Sequence, residues 1–235
     1  MKLTTLGVLS VCLIIIAGSV FAGPKMILSE SIFDFGFVPQ HSKTSHDFWI
    51  KSVGDDDLKI LKVVPGCGCT KAPLEKNLVT PGDSTRLEII FSTKQYKSLV
   101  SKRPKIQTNE GSGDKVLTFK AHVVDNPGST YPLVISPFVV NFTQASNNKN
   151  DNFIINISNV TDQDLELSVI DFAKEFFDVK IPNKIKAGKS VEASITLKKG
   201  NLNKSFMKSI TIEANDANKS RFTIPVKQDR KLAKK

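Results

Sequence analysis

The sequence predicts an all-β chain built as two tandem Ig-like antiparallel β-sandwich domains. Three observations carry that prediction: apolar residues recur at spacing two in short runs, the set of runs occurs twice, and no long segment holds the 3.6-residue period of a helix. In the first half the runs are Phe33, Phe35 and Phe37; Phe48 and Ile50; Leu58 and Ile60; Leu87, Ile89 and Phe91; Ile106 to Thr108; and Leu117 to Phe119. Turn sequences separate them, among them Gly54-Asp55-Asp56, Pro81-Gly82-Asp83 and Asn109-Glu110-Gly111-Ser112-Gly113. Several such strands within about 100 residues imply two packed sheets.

Duplication sets the domain layout. Gly82 matches Gly188 at an offset of 106, and Asn109 matches Asn215 at the same offset. Phe35 aligns with Phe142 and Asp57-Leu58 with Asp164-Leu165 at 107, and Phe48 with Phe153 at 105. One sandwich is expected over residues 23–125, a linker over 126–132 and a second sandwich over 133–228, followed by a basic tail, 229–235. The length suits two ordinary domains.

Residues 1–22 read as a secretory signal peptide: a basic Met1-Lys2 start, an apolar run from Leu6 to Ala17, and a small residue, Ala22, before the cut. As a retained membrane anchor the run falls short of the roughly 20 apolar residues a spanning helix needs. As a lipidation site Cys12 follows Val11 where a small residue is usual. The mature chain then has no transmembrane segment, and it is placed in an oxidising compartment, the periplasm or the extracellular space.

The whole chain carries 33 Lys and Arg against 23 Asp and Glu, and loss of Lys2 leaves a mature charge of +9. Lys94, Lys97, Lys102, Arg103 and Lys105 form one concentration, and Lys227, Arg230, Lys231, Lys234 and Lys235 another. An anionic surface or wall polymer would attract them, but they also read as a solvated lysine-rich face. Nucleic acid is not expected, because export and the absence of stacking platforms both argue against it.

Chemistry concentrates at Pro65-Gly66-Cys67-Gly68-Cys69-Thr70. With Cys12 removed, Cys67 and Cys69 must pair with each other, bind something or stay reduced. On a straight strand their Cα atoms would be about 6.6 Å apart, near the upper end of the disulfide range. A bridge therefore requires a turn, which Gly68 is expected to supply. Three readings stay open: thiols or a bridge that shape a loop, a redox-active pair, or a Cu(I) site of soft thiolates with His41 or His46 assisting. Zinc needs more ligands than two thiolates. His46 is expected to begin the strand of Phe48 and Ile50, and His41 to lie in a polar turn.

The order Phe33-Asp34-Phe35-Gly36-Phe37-Val38, His46-Asp47-Phe48-Trp49-Ile50, Leu58-Lys59-Ile60, Pro65-Gly66-Cys67-Gly68-Cys69-Thr70, Pro81-Gly82-Asp83-Ser84 and Gln107-Thr108-Asn109 resembles the bacterial domain-of-unknown-function family numbered 1573. The resemblance covers residues 30–124, with Gly66 where the family more often has Ser. It implies an exported Ig-like module related to the major-sperm-protein and Hydin types, with no established activity. The second copy departs from it: the stretch after Ile170 reads Asp171-Phe172-Ala173-Lys174-Glu175-Phe176-Phe177, without cysteine.

Other constellations are bland. Only His41, His46 and His122 are available to a hydrolase, and none sits by a nucleophile motif. Asp55-Asp56-Asp57 lacks the spaced ligands of a calcium loop. Five Asn-x-Ser/Thr sequons begin at Asn141, Asn156, Asn159, Asn203 and Asn218 and are read as chance occurrences in an Asn-rich chain. Alternation turns Trp49 outward, either to a partner or to cover the linker or the second domain. The sequence therefore points to an exported, non-catalytic binding or structural protein of the bacterial envelope, without cofactor, whose partner is another envelope protein or a wall component. A thiol-redox or Cu(I)-handling protein is the alternative.

Overall fold

The computed structural model describes residues 23–145 and 151–229, so the signal-peptide reading and most of the basic tail lie outside the described residues. The first half contains β1 (Met26–Leu28), β2 (Ile32–Pro39), β3 (Lys43–Ser52), β4 (Leu58–Val64), β5 (Thr70–Lys71), β6 (Leu78–Val79), β7 (Ser84–Ser92), β8 (Ser98–Lys102), β9 (Lys105–Thr108), β10 (Lys115–Val116) and β11 (Thr118–Val124). The second contains β12 (Leu133–Ser136), β13 (Val140–Asn141), β14 (Asn152–Asn159), β15 (Leu165–Phe172), β16 (Phe177–Lys180), β17 (Lys184–Ile185), β18 (Ser190–Leu197), β19 (Phe206–Ala214) and β20 (Arg221–Gln228).

Alternation produces the sandwich directly. Along β7, Thr85, Leu87, Ile89 and Phe91 are buried while the residues between them are half-buried. One sheet of the first half runs β1-β3-β7-β5; facing it are β10-β9-β4-β6 and the strands β2, β11 and β8. Phe35, Phe48, Phe91 and Phe119 fill the space between and are fully buried, each contributing roughly 1.5–3 kcal/mol by leaving water. The second half repeats this with β12-β14-β18-β16 against β17-β15-β19-β20, around a separate core that includes Ile155, Ile157, Ile195 and Ile224.

Strand pairing explains the repeat anchors. Asn109 Oδ1 accepts the Lys59 amide at 2.8 Å, and Asn215 Oδ1 accepts the Glu166 amide at 2.8 Å. Gly82 and Gly188 both take positive φ, +82° and +64°, in the turn entering β7 or β18, the region glycine enters without steric cost. One anchor moves. Ser52 pairs Met26 while Asn159 pairs Leu133, and Ile50 and Ile157 follow at the same spacing. Phe48 therefore corresponds to Ile155 at 107, not to Phe153 at 105. The apolar side chain that fills the core decides the register, and Phe153 is only half-buried.

The halves also share a sheet. Phe37 of β2 pairs in parallel with Phe222 of β20, joining β15-β19-β20 to β2-β11-β8. The Phe37 ring stacks between His122 and Phe222, with centroids 4.8 Å and 5.1 Å away. This junction needs Gly36: its φ is +61°, and a Cβ there would overlap the Arg221 carbonyl oxygen. Thr223 Oγ1 donates to the Phe35 carbonyl at 2.6 Å. No helix among the described residues is long and apolar enough to cross a membrane.

Candidate functional site: the cysteine turn and its counterpart in the second half

β4 ends at Val64, and a turn over residues 66–69 leads into β5. The turn expected at Gly68 is present: the Thr70 amide donates to the Cys67 carbonyl at 3.3 Å across Gly68 and Cys69, and Gly66, at φ +84°, bends the chain just before it. A Cβ on Gly68 would meet nothing within 4 Å, and its backbone stays outside the left-handed region. The turn brings the cysteine Cα atoms to 5.2 Å and their Sγ atoms within bonding distance. Cys69 is 7% exposed and belongs to the core, while Cys67 is half-buried at its edge. The Thr70 hydroxyl lies 3.3 Å from Cys67 Sγ and 3.7 Å from Cys69 Sγ.

A bridge across a three-residue loop restrains an unfolded chain little, about 1.6 kcal/mol by loop-closure entropy. As a staple it is weak. Both cysteines line an open depression of about 710 Å³ with His41, Gly68, Lys94, Gln95 and Tyr96. His41 and Lys94 are non-glycine residues at positive φ, +56° and +41°, and the His41 amide donates to the Lys94 carbonyl at 3.1 Å. Such conformations cost energy that the surrounding structure must supply. Among the described residues no group of three or more His, Cys, Asp or Glu converges as metal ligands.

The second half carries the same turn with different chemistry. Cys69 O accepts the Ser92 amide at 2.8 Å; Phe176 O accepts the Lys198 amide at 2.9 Å. Thr70 pairs Phe91 as Phe177 pairs Leu197. Lys174-Glu175-Phe176 thus stands where Cys67-Gly68-Cys69 stands in the first half, and it faces the first sandwich. Glu175 Oε1 accepts from Arg86 Nη1 at 3.2 Å, and Arg86 also reaches Asp47 at 3.3 Å. Lys208 Nζ meets Glu88 Oε1 at 2.7 Å, both largely buried. Asp47, Arg86, Glu175 and Lys208 border a cleft of about 600 Å³ between the halves.

His46 closes one end of that cleft. It lies within β3, which begins at Lys43, and not at the strand's start. Its ring stacks on Phe33 at 3.5 Å, with Nδ1 2.7 Å from Asp171 Oδ2 and Nε2 2.8 Å from Glu30 Oε1. Burial lowers its proton affinity, but hydrogen bonds and charge from Asp171 and Glu30 outweigh burial and raise it above the usual histidine value. Burial likewise pushes the Asp47 carboxyl up, against the pull of Lys208 and Arg86. Trp49 is 46% exposed and lines the cleft beside residues 173–176. His46 is thus separated in role from the cysteines, whereas His41 joins them.

Sequence reasoning passed over Asp171, Glu175 and Lys208. The signal for one of them, Glu175, was the 107-residue offset itself, which superposes it on Gly68 and the next residue, Phe176, on Cys69. Asn159, read as a chance sequon, is only 2% exposed and donates through Nδ2 to the carbonyls of Gln163, Ile185 and Lys186.

Two packed cores and a cysteine-bearing turn define a β-sandwich protein. Residues 26–123 match the family described as protein of unknown function (DUF1573). No curated protein matches the chain. Among solved structures, a protein of unknown function from Porphyromonas gingivalis is 15% identical, TM-score 0.37, over 87% of this chain and 99% of that one. The ASH/PapD-like domain of human CEP192 is 8% identical, TM-score 0.38, over 54% of this chain and 98% of that one. The Pseudomonas aeruginosa CupB2 chaperone is 8% identical, TM-score 0.30, over 85% and 98%.

Proposed function

We propose that this chain is an exported protein of the bacterial envelope, with two Ig-like domains, that acts as a non-catalytic binding or structural module. Its contact loop is Cys67-Gly68-Cys69. The observation that supports this reading is the equivalence of the two turns: the one at 174–176 docks on a neighbouring sandwich, and the one at 67–69 offers the same projecting element with no part of the described chain docked on Gly68. The export reading rests on residues 1–22. Trp49 is the second proposed partner contact, at the mouth of the cleft.

The alternative, a thiol-redox or Cu(I)-handling protein, draws on the half-buried sulfur beside His41. Cu(I) titration of the reduced chain tests the metal arm, and stoichiometric uptake lost in Cys67→Ser would favour it. For the principal reading, the immobilised chain is offered an envelope extract beside Trp49→Ala and Cys67→Ser/Cys69→Ser variants. A retained protein or wall component that the variants release supports the binding module. Equal retention by all three, or none, overturns it.

A further inference from the structure

The two sulfurs of the turn occupy unequal places. Cys69 Sγ belongs to a residue packed into the core, and Cys67 stands at the edge of an open depression with Lys94 and His41 on its wall. The ring their bond closes has a sequence separation of two, too small to serve mainly as a staple. Beside it the backbone holds two residues in costly left-handed conformations, and such strain clusters where sites are built. The Lys94 ammonium adds positive charge on the approach, which favours an incoming thiolate.

We propose that the Cys67–Cys69 bridge is opened by thiol–disulfide exchange, with Cys67 Sγ the sulfur attacked. This goes beyond the contact-loop reading. An external thiolate, from a small thiol or a partner's cysteine, forms a new S–S bond to Cys67. The Cys67–Cys69 bond breaks, and its electron pair leaves on Cys69 Sγ, which takes a proton from water. The Thr70 hydroxyl, between the two sulfurs, can donate a hydrogen bond to the departing thiolate. Held beside Cys67 by the turn, Cys69 gives up its proton to water and re-attacks Cys67 as the thiolate, expelling the external thiolate, or a second external thiol displaces the first as a symmetric disulfide and leaves both cysteines reduced. The external thiol is the reductant, so electrons balance.

The test uses the full chain carrying Cys12→Ser. In the reduced state, Cys69→Ser leaves Cys67 as the one thiol and Cys67→Ser leaves Cys69. The expected result is reaction of Cys67 with an aromatic disulfide at least about tenfold faster than Cys69, and a glutathione adduct that persists in Cys69→Ser but not in the parent. Equal rates, or an adduct mapped to Cys69 in the parent, overturn the assignment. Should a variant fail to fold, the parent bridge is equilibrated against glutathione or a cysteine-bearing peptide, and the thiols are counted by alkylation and mass. Faster opening by the peptide assigns a protein thiol, and faster opening by glutathione a small one. A bridge that resists a large excess of both overturns the proposal, while leaving contact at Gly68 open to its own test.

Discussion

Cys69 and Phe176 occupy one structural position in two repeats: each carbonyl accepts an amide at the C-terminal end of the neighbouring strand, Ser92 at 2.8 Å and Lys198 at 2.9 Å. One turn carries a pair of sulfurs, and the other carries the Glu175 carboxylate that pairs with Arg86 of the first sandwich. The same backbone device thus serves an internal interface and presents its counterpart outward.

If the bridge is a weak staple, replacing both cysteines by serine should lower unfolding stability by only about 1–2 kcal/mol. Urea denaturation of the two proteins measures this. A loss above about 4 kcal/mol would make the turn a structural keystone.

Gly36→Ala should be costly, because the new methyl meets the Arg221 carbonyl and the residue sits at positive φ. We expect more than about 2 kcal/mol of destabilisation, with faster proteolysis in the 126–132 segment as β2 and β20 part. Unchanged stability and cleavage would contradict the shared sheet.

The ion pairs of the cleft should separate by burial. Glu175→Ala removes a partner from an exposed pair and should cost about 0.2–1 kcal/mol. Lys208→Ala strands Glu88, which is mostly buried, and should cost about 3 kcal/mol or more. Denaturant midpoints of the two variants check the order.

His46 makes the junction sensitive to pH. Its proton affinity is raised in the folded state by Asp171 and Glu30, so the stability it adds is fully present below about pH 6.5, the unfolded value. That stability is lost as pH rises through the higher folded value. Unfolding free energy should therefore fall above about pH 6.5 in the parent and less so in His46→Gln. Parallel pH profiles would refute the assignment.

Much of the sandwich is legible in sequence, because side chains alternate across a strand: Leu87, Ile89 and Phe91 announce their burial. Asn109 and Asn215 are legible as repeat anchors, and the structure supplies their reason in a shared hydrogen bond. The β2–β20 junction is not legible. It rests on one parallel residue pair, a Thr223–Phe35 hydrogen bond and the absence of a side chain at Gly36, none of which leaves a periodic trace. His46 and Asp171 meet across 125 positions, beyond any local pattern. The cysteine pair and the turn at Gly68 are legible, whereas the left-handed bend at Gly66 that precedes them leaves no periodic trace.

The central claim, that Cys67-Gly68-Cys69 contacts a partner, is tested most directly by a photo-crosslinking amino acid at position 68. A side chain there meets nothing within 4 Å, and the same holds at Gly200, which serves as control. Irradiated in the envelope of the producing bacterium, the chain labelled at 68 should give one discrete adduct that the chain labelled at 200 does not. No adduct at 68, or the same adducts from both positions, would contradict the account.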